Sequence, residues 1–398
     1  MVKTGMTPIM ARSVKLLLSV DRFMVCLLTV VVAASLLPAR GWATSWADVL
    51  AKLAITLLFF LHGAKLSRAA IIQGAGNWRL HAVTLASTYI LFPAAGLAIV
   101  WLARGTVDPL LLSGLLYLTL LPSTVQSSIA FTAMARGNVA AAVCSASLSN
   151  LAGIFLTPML VGLVMTVSGS AWVSASHSIG TIALQLLLPF LAGHLLRPLI
   201  GGFIDRNKAI LLPVDRGSIL LVVYSAFSAA VINGIWTRVG WVDLLVLLAL
   251  STLILGIVMA MNRLVARLVH LPREDAIVLL FCGSKKSLVS GVPMAGALFP
   301  PAHVGLIVLP LMIFHQLQLF VCAALAARFR RQEERGEALA ADGSIDGTTR
   351  LPRTEGEIAN AAATLGFQVP DACMPGIVAN LAVLGGHAET LRGSGVGA

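Results

Sequence analysis

Apolar segments of membrane-spanning length recur along this chain as far as residue 330, and polar residues collect in the short stretches between them. A helix needs about 20 predominantly apolar residues to cross the hydrocarbon core of a bilayer, so the pattern predicts an all-α polytopic membrane protein with about ten transmembrane helices. The predicted segments lie near residues 22–39, 46–64, 78–103, 108–135, 138–167, 177–197, 216–236, 240–269, 275–299 and 302–328.

The fourth and ninth segments are each interrupted by polar and helix-breaking residues. The interruptions are Pro122–Ser128 in the fourth and Gly283–Ser287, followed by Pro293, in the ninth. Two halves of five segments have opposite topology because five is odd, and interrupted segments at matching positions of such inverted repeats are typical of binding sites in secondary transporters. We therefore predict two inverted five-helix repeats, near residues 22–167 and 177–328, with discontinuous fourth and ninth helices.

The composition supports a membrane protein and excludes an ordinary soluble one. The mean hydropathy is +0.91, and 11% of the residues are charged, against about 25% in soluble domains. The net charge of +11 comes from basic residues that collect in alternate loops, which is typical of loops on the cytoplasmic side. We expect a cell-membrane protein in contact with lipid, with both termini cytoplasmic and no nucleic-acid partner.

Two adjacent lysines, Lys285 and Lys286, lie in the middle of the ninth segment. A lysine at the bilayer centre costs about 2.5–3.5 kcal/mol on insertion scales, so such a residue is a candidate functional group. The acidic residues of the membrane region all fall at predicted segment ends, and none is placed to neutralise the lysines. The pair therefore predicts a site that binds an anion or exchanges a proton; the alternative is a lysine that reaches along a water-filled crevice.

Other polar side chains in the apolar segments are candidates for the same cavity. Hydroxyl and carboxamide oxygens suit a small cation or a hydrogen-bonded solute, although serine and threonine also occur at ordinary helix contacts in membranes. The predicted substrate-binding residues are Gln126, Ser128, Lys285, Lys286, His315 and Gln316, and the predicted ion-binding or coupling residues are Gln126, Asn138, Ser147, Asn150, Ser284 and Ser287.

Signatures of enzymes are missing from the sequence. It contains no HExxH, GxSxG or P-loop motif, and its five cysteines are scattered without a CxxC pair. We expect neither enzymatic activity nor a cofactor or metal centre.

The composition changes after Arg331. Residues 332–353 are acidic and poor in large apolar side chains, which predicts a linker between a transporter domain at 1–331 and a small helical domain at 354–398. We expect two short helices in this domain, separated by Val369–Pro375.

The motifs resemble those of the bile acid:sodium symporter family, in particular its divergent symporter-like branch. The resemblance covers residues 12–330 and is carried by Leu121-Pro-Ser-Thr-Val-Gln-Ser-Ser128, Phe281-Cys-Gly-Ser-Lys-Lys-Ser-Leu288 and Phe314-His-Gln316. It implies ten spans in two inverted repeats, with a core and a panel domain and two broken helices that cross at mid-membrane.

The same resemblance implies roles for individual residues. Gln126 matches a sodium-site glutamine, Asn138 matches the position that opens the fifth helix, and His315-Gln316 resembles a substrate-facing pair. Where a typical symporter carries a glutamate and a Gln-Asn pair in the ninth helix, this chain has Ser284-Lys-Lys-Ser287. We hypothesise that a lysine ammonium replaces a bound cation, so that sodium coupling is lost and transport is uniport or proton-linked.

The C-terminal tail resembles a different protein family from the transmembrane region. Residues 347–392 are similar to the small accessory subunit of amidase-type hydrolases, which implies a possible amidase partner. Taken together, the sequence predicts a secondary transporter that moves a small organic anion by alternating access, with Na⁺ or H⁺ as open choices of coupling ion. The alternatives are a membrane regulator of ion influx and a scaffold that recruits an amidase through its tail.

Overall fold

The computed structural model describes residues 22–65, 77–165, 175–344, 352–364, 366 and 368–393. These residues form helices joined by short turns, and they include no β-strand. The chain divides into two compact units, Met1–Arg330 and Arg331–Ala398.

Twelve labelled helices make up the first unit, and the last of them continues past its boundary. They are α1 (Arg22–Leu36), α2 (Trp42–Lys65), α3 (Trp78–Leu102), α4 (Pro109–Thr119), α5 (Gln126–Met134), α6 (Val139–Met165), α7 (Ala175–Arg206), α8 (Lys208–Ile232), α9 (Trp241–Leu268), α10 (Arg273–Gly283), α11 (Leu288–Leu298) and α12 (Pro301–Ser344). A single turn of helix, Ile235–Arg238, lies between α8 and α9.

This first unit is a polytopic membrane protein. Among the described residues, eight helices are long and apolar enough to cross a bilayer, and Val25–Leu36 and Pro109–Thr119 are shorter apolar helices. All ten predicted segments correspond to these elements. The inverted relation between the two halves stays a prediction.

The fourth and ninth helices are discontinuous, as predicted. The fourth is divided into α4 and α5 by residues 120–125, and the ninth into α10 and α11 by residues 284–287. Two of these four half-helices begin with a side-chain cap: Asp108 caps α4 by accepting from Leu110 N at 2.7 Å, and Ser287 caps α11 by accepting from Ser290 N at 3.2 Å.

Helices α1, α2, α7 and α8 pack together, and α11 lies against α2, α7 and α8. The crossing of α2 and α7 is unusually close, because a Cβ on Gly63 would lie 2.0 Å from Phe190 O and a Cβ on Gly193 would lie 2.0 Å from Phe60 O. Only glycine fits at these two positions, and small residues at such contacts are typical of membrane helices. The remaining helices surround the two interruptions.

The second unit begins within α12. This helix continues to Ser344, so the first part of the predicted linker at 332–353 is helical rather than extended. The physical reason is the run of glutamate, arginine and alanine after Arg331, which are good helix formers. The later linker residues 345–351 lie outside the described part of the chain.

The tail contains two helices, as predicted. They are α13 (Glu355–Thr364) and α14 (Met374–Gly393), with a 3-10 turn at Asp371–Cys373. A reciprocal capping box starts α13, because Glu357 Oε2 accepts from Thr354 N at 3.1 Å and Glu357 N donates to Thr354 Oγ1 at 3.3 Å.

Candidate functional site

The two interruptions contact each other. The backbone N–H of Ser287 donates to Pro122 O at 2.9 Å. Asn150 of α6 bridges the same segments, because its Nδ2 donates to Ser123 O at 3.3 Å and its Oδ1 accepts from Ser290 Oγ at 2.9 Å. The unwound segments are therefore joined both directly and through one side chain.

Four helix ends flank this crossing. Helices α4 and α10 end at the interruptions, and α5 and α11 begin after them. The last carbonyls of a helix lack intrahelical donors and carry partial negative charge, while the first N–H groups carry partial positive charge. The crossing therefore offers favourable positions for a cation and for an anion.

The Lys286 ammonium occupies the cation position. Its Nζ donates to Thr88 O at 2.8 Å, to Thr119 O at 2.8 Å and to Leu121 O at 2.7 Å. It also lies 4.2 Å from the centre of the Phe92 ring, and the side chain is fully buried. An ammonium has three hydrogens to donate, and all three are used here.

These carbonyls are free to accept because of local backbone structure. Thr119 and Leu121 lie at the end of α4, where carbonyls have no intrahelical donor. Thr88 lies in a π-helical turn of α3, Ser87–Leu91, in which Phe92 N bonds to Ser87 O. In that register the donor for Thr88 O would be the nitrogen of Pro93, which carries no hydrogen.

Lys285 is equally buried but poorly satisfied. Its Nζ donates to Ser127 Oγ at 3.3 Å and lies 4.5 Å from the centre of the Phe131 ring and 5.8 Å from that of Phe281. Within the described residues, neither Lys285 nor Lys286 forms an ion pair with a carboxylate. The crossing thus holds two buried lysine side chains, of which one has a full set of hydrogen-bond acceptors and the other has one long hydrogen bond.

Three of the predicted serines lie in this network. Ser128 is buried, 3.2 Å from Thr124 Oγ1, and donates to Phe281 O at 3.3 Å. Ser284 donates to Leu280 O, within the last turn of α10, and Ser287 caps α11. Together with Asn150 they hold the broken ends of the helices in place.

The end of α10 contacts a hydroxyl and not a lysine. Ser87 Oγ lies 3.0 Å from Gly283 O and 2.6 Å from Asn262 Oδ1, and its single hydrogen is shared between these two acceptors. The carbonyls at the ends of α4 and α10 therefore have different donors, the Lys286 ammonium at α4 and the Ser87 hydroxyl at α10.

Sequence reasoning missed Gln318, which is fully buried on α12. Its Oε1 accepts from Lys286 N at 2.8 Å, and its Nε2 donates to Lys286 O at 2.9 Å. The same Nε2 lies 2.9 Å from His315 Nδ1, so His315 reaches the crossing through Gln318. The available signal was the spacing of three residues, which puts His315 and Gln318 on one face of a helix.

Gln316, which was predicted in place of Gln318, is half-buried and makes no side-chain hydrogen bond with any described residue. Ser147 on α6 has the same status. Gln126 is the first residue of α5, and its side chain is exposed and without a hydrogen bond inside the described ranges. Binding roles for these three residues stay predictions that the geometry of the crossing does not favour.

Asn138 performs a capping function at the other end of α6. Its Oδ1 accepts from Ala141 N at 3.0 Å, and its Nδ2 donates to Asp275 Oδ1 at 2.9 Å. Asp275 also accepts from Asn77 Nδ2 at 2.7 Å, so these three residues tie the starts of α3, α6 and α10 together. Both polar ends of Asn138 are used in this contact, which leaves little capacity for the predicted ion.

A family model described as the SBF-like CPA transporter family matches residues 21–331. The chain belongs to this family. The SBF-like chain is therefore a membrane transporter related to the bile acid:sodium symporters, as the resemblance of its motifs predicted.

Individual relatives cover the same region. YfeH of Escherichia coli (strain K12) is 55% identical over 324 residues, which is 81% of this chain and 97% of YfeH. PA2026 of Pseudomonas aeruginosa is 51% identical over 80% of this chain and 96% of its own length. "Sodium/bile acid cotransporter 7" of Danio rerio is 26% identical over 68% of this chain and 81% of its own length. The family match ends at residue 331, so the tail lies outside it.

Proposed function

We propose that this SBF-like transporter moves a small organic anion across the cell membrane by alternating access, without sodium coupling at the crossing of α4–α5 and α10–α11. Both termini are cytoplasmic in this proposal, as the distribution of basic loops indicates. The contact of the Lys286 ammonium with three backbone carbonyls carries the proposal.

Backbone carbonyl oxygens at the ends of broken helices are typical ligands of Na⁺ in transporters. In this chain the three oxygens around Lys286 Nζ lie at 2.7–2.8 Å and are already neutralised by a covalently attached charge. A sodium ion at the same point would have to displace an ammonium that has no other described partner of opposite charge. The geometry therefore supports a cycle in which Lys286 takes the place of the coupling ion.

Lys285 supports an anionic solute. A buried charge with one long hydrogen bond is costly, since burial removes an ion from water at an effective cost of several kcal/mol. An anion that entered beside Ser127, near the positive starts of α5 and α11, would repay part of this cost. The carboxylate that would otherwise do so is absent among the described residues around the crossing.

A thermal-shift screen of the purified full chain tests anion binding. The probes are benzoate, glutarate and taurocholate, each in choline buffer and in sodium buffer. We expect at least one anion to raise the melting temperature equally in both buffers, and Lys285→Met to abolish the shift. Lys52→Met is the matched control, because Lys52 is exposed on α2 and should leave the shift unchanged.

Uptake into proteoliposomes then tests coupling, with the anion that gives the largest shift. We expect equal initial rates with sodium and with choline outside the vesicles. A strict requirement for sodium would refute the proposed role of Lys286. Absence of any anion shift across the panel would count against the solute class rather than against membership of a transporter family.

Recruitment of an amidase by the tail has only the resemblance of residues 347–392 behind it and does not form part of this proposal.

A further inference from the structure

The orientation of the Gln318 side chain is determined by its neighbours. Lys286 N can only donate and Lys286 O can only accept, so Oε1 must face the first and Nε2 the second. This removes the usual ambiguity between the oxygen and nitrogen of a side-chain amide. Gln318 therefore holds the backbone of Lys286 at both of its polar groups.

The protonation of His315 follows from that orientation. One hydrogen of Gln318 Nε2 points to Lys286 O, and the second points to His315 Nδ1 at 2.9 Å. Nδ1 must then be an acceptor, so the hydrogen of a neutral His315 ring lies on its Nε2. A doubly protonated ring would bring two N–H donors face to face at this distance.

We infer that Gln318 is a positioning residue for Lys286 and that the protonation of His315 controls it. The two hydrogen bonds of Gln318 to the backbone of Lys286 form a clamp, which is closed when His315 is neutral and opens when the ring takes up a second proton. The clash opens the clamp through rotation of the Gln318 amide, because a turn of the His315 ring alone would leave the clamp closed. Rotation would break both hydrogen bonds to the backbone of Lys286.

The consequence for transport rests on the proposed function, whereas the clamp itself does not. The Lys286 ammonium reaches its three carbonyls from an unwound segment whose backbone is held by Gln318 and by the contact of Ser287 with Pro122. Release of one of these two supports would loosen the ammonium from its site. Protonation of His315 would thereby change the electrostatics of the crossing, as a coupling proton must.

Other titratable groups meet at the same crossing. They are Lys285 and Lys286 in the unwound segment, Tyr89 in the π-helical turn, Tyr117 on α4, Cys282 on α10 and Cys322 on α12. A histidine ordinarily changes charge near neutral pH, at about 6.5, but a buried lysine can also lose its proton in this range. A response between about pH 8 and about pH 5 is therefore assigned to His315 only by its loss in the His315→Asn variant below.

The test is hydrogen–deuterium exchange of the peptide containing residues 284–290 in the full-length protein, with rates corrected for their intrinsic pH dependence. We expect protection of this segment to fall roughly tenfold between about pH 8 and about pH 5 as the clamp opens. His315→Asn should keep the protection and abolish its pH dependence, because the Asn amide oxygen can accept from Gln318 at every pH. His270→Asn is the control: His270 is exposed, with a left-handed φ of 54° that asparagine tolerates, and this variant should respond like the wild type.

A second variant keeps the inference testable if His315→Asn does not fold. Gln318→Glu retains an acceptor for Lys286 N but places a second oxygen against Lys286 O, which can only accept, and against His315. Protection should therefore be low at about pH 8 and rise on acidification, as the ring or the carboxyl takes up a proton and supplies a donor. A wild-type segment without pH response, or His315→Asn with the wild-type response, would overturn the inference.

Parallel uptake measurements separate the two proposals. Loss of transport with an intact exchange response would remove the proposed function and leave the clamp. Sodium-independent transport without the exchange response would support the proposed function and overturn the clamp.

Discussion

Replacement of Lys286 by methionine tests whether the ammonium is held by the protein. The substitution keeps the length and most of the volume of the side chain but removes the charge and its three hydrogen bonds to Thr88 O, Thr119 O and Leu121 O. Each of the three carbonyl oxygens that loses its donor stays buried, at a cost of about 1–3 kcal/mol, whereas removal of the buried charge relieves part of that total. We therefore expect Lys286→Met to destabilise the protein by a net amount of about 1–3 kcal/mol.

Lys285→Met is the matched comparison, since it removes an equally buried charge from the adjacent position. It loses one hydrogen bond of 3.3 Å and the contacts with Phe131 and Phe281. These are worth about 1 kcal/mol and about 0.5–2 kcal/mol. Removal of the poorly paired ammonium also recovers its desolvation cost of several kcal/mol, which offsets the loss of these contacts. We expect this variant to lie within about 1 kcal/mol of the wild type, or to be more stable.

The assay is unfolding in mixed detergent micelles, followed by the fluorescence of the seven tryptophans. Lys52→Met on the exposed side of α2 controls for the loss of a lysine in general. Equal destabilisation by the two buried substitutions would refute the distinction between a satisfied and an unsatisfied lysine. If Lys285→Met destabilised the protein more than Lys286→Met, the lysine held by the protein would be Lys285 and not Lys286.

Four further outcomes follow from the same geometry. In Lys286→Ala the vacated carbonyls should accept a small cation, so methylammonium should raise the melting temperature of this variant and leave the wild type unchanged. Gly63→Ala should destabilise the packing of α2 and α7 by more than the usual cost of overpacking, roughly 1–3 kcal/mol, because the atom that the new Cβ meets belongs to the backbone. The control is Gly256→Ala, where a Cβ has nothing within 4 Å; it should be neutral or stabilising in the same unfolding assay. Gln126→Cys in a cysteine-free background should react with a water-soluble maleimide if this exposed position opens onto the solute pathway; absence of labelling would assign it to lipid. The backbone N–H groups of Arg353 and Thr354 hold the pKa of Glu357 below its ordinary value. The charged cap of α13 therefore contributes stability above the unfolded-state pKa, and this stability is lost as pH falls through the lower folded-state value. Glu357→Gln should accordingly increase proteolysis at Arg353 at neutral pH.

The helices and their interruptions could be predicted because both depend on local sequence. Apolar runs of spanning length place the helices, and residues such as Pro122 and Gly283 disfavour a continuous helix where the chain is unwound. The lysine pair was equally visible, since an ammonium in an apolar segment has a cost that composition alone reveals. These features need no knowledge of what packs against them.

The partners of the lysines could not be predicted in the same way. All three acceptors around Lys286 are main-chain oxygens, and every residue carries one, so the side chains of Thr119 and Leu121 give no indication of their role. Thr88 O is free because a π-helical turn places Pro93 opposite it, which depends on a helix register that hydrophobic periodicity does not resolve. The resemblance points to His315-Gln316, but Gln318 lies about 200° around the helix axis from Gln316, and it is Gln318 that faces Lys286.

Adjacent lysines in an unwound segment point to different neighbours, and this difference bears on the mechanism. Lys286 reaches the end of α4 and is saturated, whereas Lys285 reaches α5 and is not. A cation that is attached to the chain cannot leave with the solute, so on the proposed function a sodium gradient has no means of driving the cycle through this position. Energy can then enter only through the solute's own gradient or through a group that exchanges a proton with water. At this crossing the group whose hydrogen bond to Gln318 depends on its protonation is His315, and its state decides whether the backbone of Lys286 is held.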